Sequence, residues 1–154
     1  MKDFILVQHA SGAPGLRFLG MGPRFIPKRG IRKLQVLLDK NTSWATKRNE
    51  HNIRRMLSKS DAIVSVWKGN KLIGFGRATS DRIYRAVLWD IVVEKSYQRS
   101  GVGKLIVTSL LSNRLIANAE KIYVMTTEFA KFYKRMGFQL EKNQNLMLLL
   151  KNNP

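Results

Sequence analysis

Apolar positions along the chain change period several times, and each change predicts an element. Ile31, Leu34, Leu37 and Leu38 recur at three- and four-residue steps, the spacing of one helical stripe, and predict a helix that stops near Asn41. Asn49 is placed to cap a second helix carrying Ile53, Met56 and Leu57, which fades at Ser60 and Asp61. From Ala62 the period shortens. Ala62–Trp67 and Leu72–Thr79 are β-rich runs separated by Lys68-Gly69-Asn70-Lys71, a tight-turn signal that predicts an antiparallel hairpin. A third strand-like run spans Arg85–Val93. Helical spacing returns from Gly101 to about Ala117, with Val102, Leu105, Ile106 and Leu110 on one side. A short strand over Ile122–Met125 and a short helix over Glu128–Met136 follow, the latter stopped by Gly137. Leu146–Leu150 is expected as a closing strand.

Ahead of all this, residues 1–30 are rich in glycine, proline and basic residues. They read as turns with one short strand around Leu16–Ile26. The expected organisation is a basic segment over 1–30 and one domain over 31–150. Its element order, with helices on either side of a meander, indicates an α/β (α+β) fold.

Composition narrows the chemistry. At 154 residues without a cysteine, the chain can build its core without cross-links, and thiol catalysis and cysteine-ligated zinc are excluded. With only two histidines, His9 and His51, no metal site is expected. No apolar run approaches the ~20 residues that span a bilayer. A secretory leader is not expected, because Asp3 precedes the short apolar run near the N-terminus and no long apolar stretch follows. The 28 Lys and Arg against 10 Asp and Glu give a net charge of +18, suited to a polyphosphate cofactor, an acidic protein or nucleic acid. No dedicated RNA-recognition motif is present, so no specific nucleic-acid partner is expected.

The chemically informative stretch runs from Leu88 to Lys104. A strand leads through a turn containing Gly101 and Gly103 directly into an apolar-faced helix. Backbone amides of such a turn converge at a helix N-terminus, where the dipole favours an anion. Arg99 and Lys104 add cationic side chains there, and a side chain at either glycine is expected to obstruct a phosphate. The spacing matches neither a P-loop nor a dinucleotide fingerprint, which would need a third glycine where Ile106 stands. Asp90 lies inside the apolar run before the turn, where a carboxylate is either functional or a buried acceptor. Strict alternation would put it with Leu88 and Val92 on one face.

Gln98-Arg99-Ser100-Gly101-Val102-Gly103, preceded by Ile91-Val92-Val93 and followed by Phe132-Tyr133-Lys134-Arg135-Met136-Gly137-Phe138, resembles the three signature elements of the GNAT superfamily of N-acetyltransferases, in their usual order. Gly76–Asp81, Leu88-Trp89-Asp90 and Ser96-Tyr97-Gln98 look most like the plant plastid and cyanobacterial branch, described as serotonin (arylalkylamine) N-acetyltransferases, with plastid relatives that also acetylate protein lysines and N-termini. The resemblance implies a single-domain acyl-CoA N-acyltransferase fold, with a mixed sheet flanked by helices, over about residues 31–150. It implies acetyl-CoA as co-substrate, bound by Ile91, Val92, Val93, Gln98, Arg99, Ser100, Gly101, Val102, Gly103, Lys104, Thr127 and Tyr133. Two positions depart from the family pattern: Thr127 replaces a common Asn, and Lys95 replaces a common Pro. The implied acceptor is a small-molecule or protein amine, in the cytoplasm of a bacterium or the stroma of a plastid. No membrane partner is expected, and a homodimer is compatible with the chain. A binding module for RNA or ribosomes on the same fold is the alternative from another class.

Acetyl transfer needs a neutral amine and a proton for the leaving thiolate. Tyr133 is the expected proton donor. Asp90 is the expected base or ammonium partner, with Asp81 and Glu50 behind it. The Val93 amide is placed to polarise the thioester carbonyl. His9 and His51 are weaker candidates, and Trp44 and Trp89 could stack on an aromatic acceptor or simply fill space.

Overall fold

The computed structural model describes residues 3–11 and 29–151. Among them, five strands form one sheet in sequence order: β1 (Ile5–His9), β2 (Ala62–Lys68), β3 (Lys71–Ser80), β4 (Arg85–Val93) and β5 (Lys121–Val124). The first three pairings are antiparallel and β4–β5 is parallel. Four helices flank the sheet: α1 (Gly30–Asn41), α2 (Glu50–Ser58), α3 (Val102–Leu111) and α4 (Ala130–Arg135). The mixed sheet flanked by helices agrees with the expected fold class.

The sheet separates two cores. On one face α1 and α2 bury Ile31, Leu34, Leu38, Ile53 and Leu57 against Trp67, Phe75 and Val92. On the other, Val102, Ile106, Val107 and Leu110 of α3 pack with Val64, Val66, Ile73 and Leu88. β2 is buried on both faces, which explains its continuous apolar sequence. α3 comes close to β3 because Gly74 and Gly76 leave room for it. A Cβ at Gly76 would stand 2.6 Å from Ile106 and 2.7 Å from Ile91, and one at Gly74 would stand 2.8 Å from Val102 and Ile106.

Asn49 caps α2 as expected, its side chain accepting from the Asn52 amide at 2.8 Å. Gly137 adopts φ +95° just past α4, the left-handed stop that its position predicts.

Three expectations need correction. Residues 5–9, read as part of a turn-rich segment, form β1, which gains pairing from β2 and an interior hydrogen bond between His9 Nε2 and Ser65 Oγ at 2.8 Å. The helix after Gly101 ends at Leu111 rather than near Ala117; residues 113–119 continue as hydrogen-bonded turns. Leu146–Leu150 is not a strand, and all five side chains are exposed. The strand expected around Leu16–Ile26 lies outside the described residues.

Candidate active site

β4 and β5 pair only from Arg85↔Lys121 to Leu88↔Val124. β4 continues for five more residues, so the sheet opens beside Trp89–Val93. Backbone directions alternate along a strand. The Glu94 amide donates to the Ile73 carbonyl of β3 at 2.9 Å, so the polar groups of Val93 and Ile91 turn the other way, toward the opening. The Val93 carbonyl accepts from Gln98 Nε2 at 3.2 Å, which ties the strand end to the turn that follows.

That turn combines two left-handed residues, Arg99 at φ +58° and Gly101 at φ +94°. Gly101 immediately precedes α3, so the first amides of a ten-residue helix point out at the end of β4. The Ser100 hydroxyl donates to the Tyr97 carbonyl and pins the preceding 3₁₀ turn, Lys95–Tyr97. Arg99 and Lys104 are exposed beside these amides. The glycines have different reasons to be there. A Cβ on Gly101 would meet nothing within 4 Å, so backbone conformation selects glycine there. A Cβ on Gly103 would lie 3.5 Å from Phe132 and 3.8 Å from Val93. Turn, strand end and α4 therefore converge at Gly103.

Tyr133 is buried on α4, with Phe132 and Phe138 edge-on at 5.0 and 5.6 Å between ring centroids. Burial pushes its phenol up to about 12, because the phenolate would lose hydration without gaining a partner. The hydroxyl therefore keeps its proton until a strong base meets it. Thr127 lies in the exposed loop between β5 and α4.

Asp90 stands elsewhere than alternation predicts. Phe75 faces Val92 and Arg77 faces Trp89, so Gly76 alone is opposed by both Asp90 and Ile91. This is a β-bulge, and Asp90 takes φ +52° within it. The extra residue resets the alternation. Leu88 lies in the α3 core, whereas Val92 lies in the α1–α2 core. Asp90 joins Val92 on the α1–α2 face, where its side chain is 5% exposed. One carboxylate oxygen is 2.6 Å from Arg77 Nε and the other 3.1 Å from an Arg48 guanidinium nitrogen. Arg77 also stacks over Trp89 at 5.6 Å, whose indole donates to Thr79 Oγ1 at 2.8 Å. Sequence reading missed both arginines. The only available signal was that a carboxylate in an apolar strand requires cations.

The remaining candidates have local duties. Asp81 Oδ1 accepts from the amides of Ile83, Tyr84 and Arg85, and these bonds hold its carboxyl below its ordinary range. Glu50 pairs with Arg54 one helical turn on, at 3.5 Å. His51 and Trp44 are exposed. His9 is interior, on the α1–α2 face of β1, and burial pulls its imidazole down to about 4.

Residues 59–140 match the family model described as the acetyltransferase (GNAT) domain. The N-acetyltransferase ycf52 of Pyropia yezoensis is 30% identical over 112 residues, covering 72% of this chain and 56% of the relative. The chloroplastic GCN5-related N-acetyltransferase 2 of Arabidopsis thaliana is 31% identical over 120 residues, covering 75% of this chain and 45% of the relative. The chain thus spans about half the length of these curated relatives. A GNAT-family acetyltransferase structure from Streptococcus pneumoniae superposes with a TM-score of 0.71 at 19% identity, covering 97% of this chain and 99% of that one. This last likeness concerns the fold.

Proposed function

The chain belongs to the GNAT family of acetyltransferases, and from that premise we propose that it transfers the acetyl group of acetyl-CoA to a primary amine by direct attack in a ternary complex. One observation carries the reading: β4 runs five residues beyond its pairing with β5 and ends in a left-handed turn at the N-terminus of α3. This arrangement supports an anion site at the end of an exposed strand edge. The first holds pyrophosphate through amides, Arg99 and Lys104; the second pairs with an extended amide-bearing arm.

In this reading the Val93 amide polarises the thioester carbonyl. The amine nitrogen attacks that carbon, the carbon–sulfur bond breaks, and Tyr133 gives its proton to the departing thiolate. The amine's proton leaves to water. Tyr133 is a weak acid at about 12, so it depends on position and on a thiolate that is itself poorly hydrated. Asp90 engages two guanidiniums with its two oxygens, which supports a positioning role at the bulge over the role of base.

The acceptor is an arylalkylamine such as serotonin or an amine on a protein. Trp89 beside the bulge supports the first. Charge supports the second: Arg48 and Arg77 outnumber Asp90 on the α1–α2 face, leaving a cation in excess where an ammonium would approach. An amine flanked by carboxylates suits that surface better than a bare arylalkylammonium. The cytoplasm or the plastid stroma is the proposed location. Among the described residues no helix is long and apolar enough to cross a membrane.

A thioester-cleavage assay with acetyl-CoA tests both levels, across tryptamine-type amines, polyamines and peptides with acidic or basic flanks. Acetylation of peptides with acidic flanks is expected to lead. A clear preference for arylalkylamines would reverse the acceptor assignment, and inactivity toward every amine together with failure to bind acetyl-CoA would remove the enzyme reading.

A further inference from the structure

The segment from Glu94 to Gly101 carries the end of β4 into the glycine turn. Within it, the Tyr97 amide donates to the Glu94 carbonyl at 2.8 Å and the Gln98 amide to the Lys95 carbonyl at 3.3 Å. Gln98 Nε2 returns to the Val93 carbonyl, and the Ser100 hydroxyl to that of Tyr97. These bonds shape the segment but do not fix where it stands. Among the described residues, only two of its backbone amides reach another element. Glu94 donates to the Ile73 carbonyl of β3 at 2.9 Å. Lys95 donates at 3.0 Å to Oδ1 of Asn41, the last residue of α1.

Asn41 is held ready for that contact. Its Nδ2 donates to the Leu37 carbonyl at 2.8 Å, so the side chain is fixed by its own helix with Oδ1 turned out. The helix is anchored in turn, with Leu34, Leu37 and Leu38 buried against the sheet. The segment is therefore suspended between β3 on one side and α1 on the other. Its side-chain contacts do not replace the second support: Lys71 pairs with Glu94 from β3, and Phe4 meets Tyr97 in the α3 core. Nor does the local backbone need an N–H at residue 95. Glu94 stands at φ −54° and ψ 136°, the region that a following proline requires. Lys95 opens a 3₁₀ turn, whose φ suits the proline ring. Proline would preset this turn, and the one group it lacks is the amide that Asn41 accepts.

We propose that Asn41 is a positioning residue for acetyl-CoA: through the Lys95 amide it holds the turn that carries Arg99, Gly101 and the first amides of α3. It acts through the turn rather than as a ligand itself. Released from Asn41, the segment pivots on Glu94 and the turn samples other conformations, so binding must first restore the one that fits. The inference rests on acetyl-CoA binding at this turn, which the parent chain tests by itself.

Lys95→Pro removes the amide donor but also a charge, so Lys95→Ala, which drops the charge and keeps the amide, is its reference. In calorimetry, Lys95→Pro should bind acetyl-CoA about fivefold more weakly than Lys95→Ala, the worth of one ordinary hydrogen bond. Its Tm should change little, because the entropic gain from the ring offsets the lost bond. The KM for acetyl-CoA should rise with the dissociation constant, and kcat should not fall in step. Asn41→Ala should weaken binding to a similar extent in the Lys95→Ala chain and hardly at all in the Lys95→Pro chain, where the bond is already gone. Without any ligand, amide hydrogen exchange at Lys95 should be slow in the parent and several-fold faster in Asn41→Ala. Affinities equal to those of the references, or a Lys95 amide that exchanges equally fast in the parent and in Asn41→Ala, would overturn the proposal and leave Asn41 as the end of α1 only. A parent chain that fails to bind acetyl-CoA would instead remove the anion site, and this role of Asn41 with it.

Discussion

Asp90 Oδ2 and Arg77 Nε meet at 2.6 Å across the one point where β4 carries a residue more than β3. The pair is nearly dry, and Arg48 completes it from the loop between α1 and α2. Taking Asp90 and Arg77 largely out of water is expensive, and such pairs are weak evidence for stability alone. Asp90 also holds a left-handed backbone conformation at φ +52°, which aspartate tolerates better than most residues. Conformation and charge thus select the same residue. Together they keep Ile91 and Val93 turned into the opening beside β5.

Asp90→Asn retains the shape and tolerates the backbone angle but leaves two guanidiniums short of a counter-ion. It should destabilise the fold by on the order of 3 kcal/mol in urea titration, and activity should fall by a similar factor at every pH from 6 to 9. Partial recovery at alkaline pH, where more amine arrives neutral, would instead identify Asp90 as the group that handles the amine's proton.

Tyr133→Phe removes one hydroxyl from an aromatic cluster and should leave acetyl-CoA affinity within about twofold by calorimetry. Turnover should drop by roughly 10²–10⁴, the usual contribution of a positioned acid. With the phenol raised to about 12, no loss of rate on the alkaline side should trace to Tyr133 below about pH 11. A chemical step unaffected in single-turnover measurements would make Tyr133 part of the packing only.

The legible parts of this molecule were those encoded locally. The 3.6-residue stripe of Ile31–Leu38, the Gly69-Asn70 turn, the Asn49 cap and the Gly137 stop each depend on neighbours in sequence, and each is where its pattern put it. The glycine turn and the aromatic box were legible as motifs, and Gly103 against Phe132 joins them in space. Long-range pairing was not legible. Nothing near Ile5–His9 announces β2, more than fifty residues away, as its partner. The bulge at Asp90 exists because Gly76 on another strand faces two residues, so alternation read from β4 alone places Asp90 with the wrong neighbour, Leu88. Leu146–Leu150 has the composition of a strand, but no described strand pairs with it.

His9 gives a pH dependence of stability with a definite sign. Its imidazole contacts Ser65 Oγ, which also accepts the Trp67 indole at 2.8 Å, and burial lowers it from 6.5 to about 4. The unfolded chain therefore takes up a proton before the folded one does. The contribution is complete above pH 6.5 and is lost as pH falls toward 4, by on the order of 3 kcal/mol in all. Urea midpoints of the parent chain should fall across that window, and those of His9→Gln should fall less. Equal slopes would mean that His9 is solvated enough to charge in place.

Gly101 and Gly103 make the anion site testable in two separable ways. Gly101 is required by its angle: a Cβ there touches nothing, but φ +94° strains most side chains, β-branched ones above all. Gly101→Val should let the turn relax away from its geometry, so binding must restore a conformation costing roughly 1–2 kcal/mol. Acetyl-CoA affinity should weaken about tenfold, and Gly101→Asn, which tolerates the angle, should lose less. Gly103 sits inside α3, where a methyl group would meet Phe132 at an ordinary 3.5 Å. Alanine should be accepted by the fold and should raise helix stability slightly, since it is a better helix former. If the amides of this turn hold a phosphate, the added methyl group stands in its approach, and Gly103→Ala should weaken acetyl-CoA binding without lowering Tm. Affinity unchanged in both variants would mean that the turn closes β4 onto α3 and holds no anion.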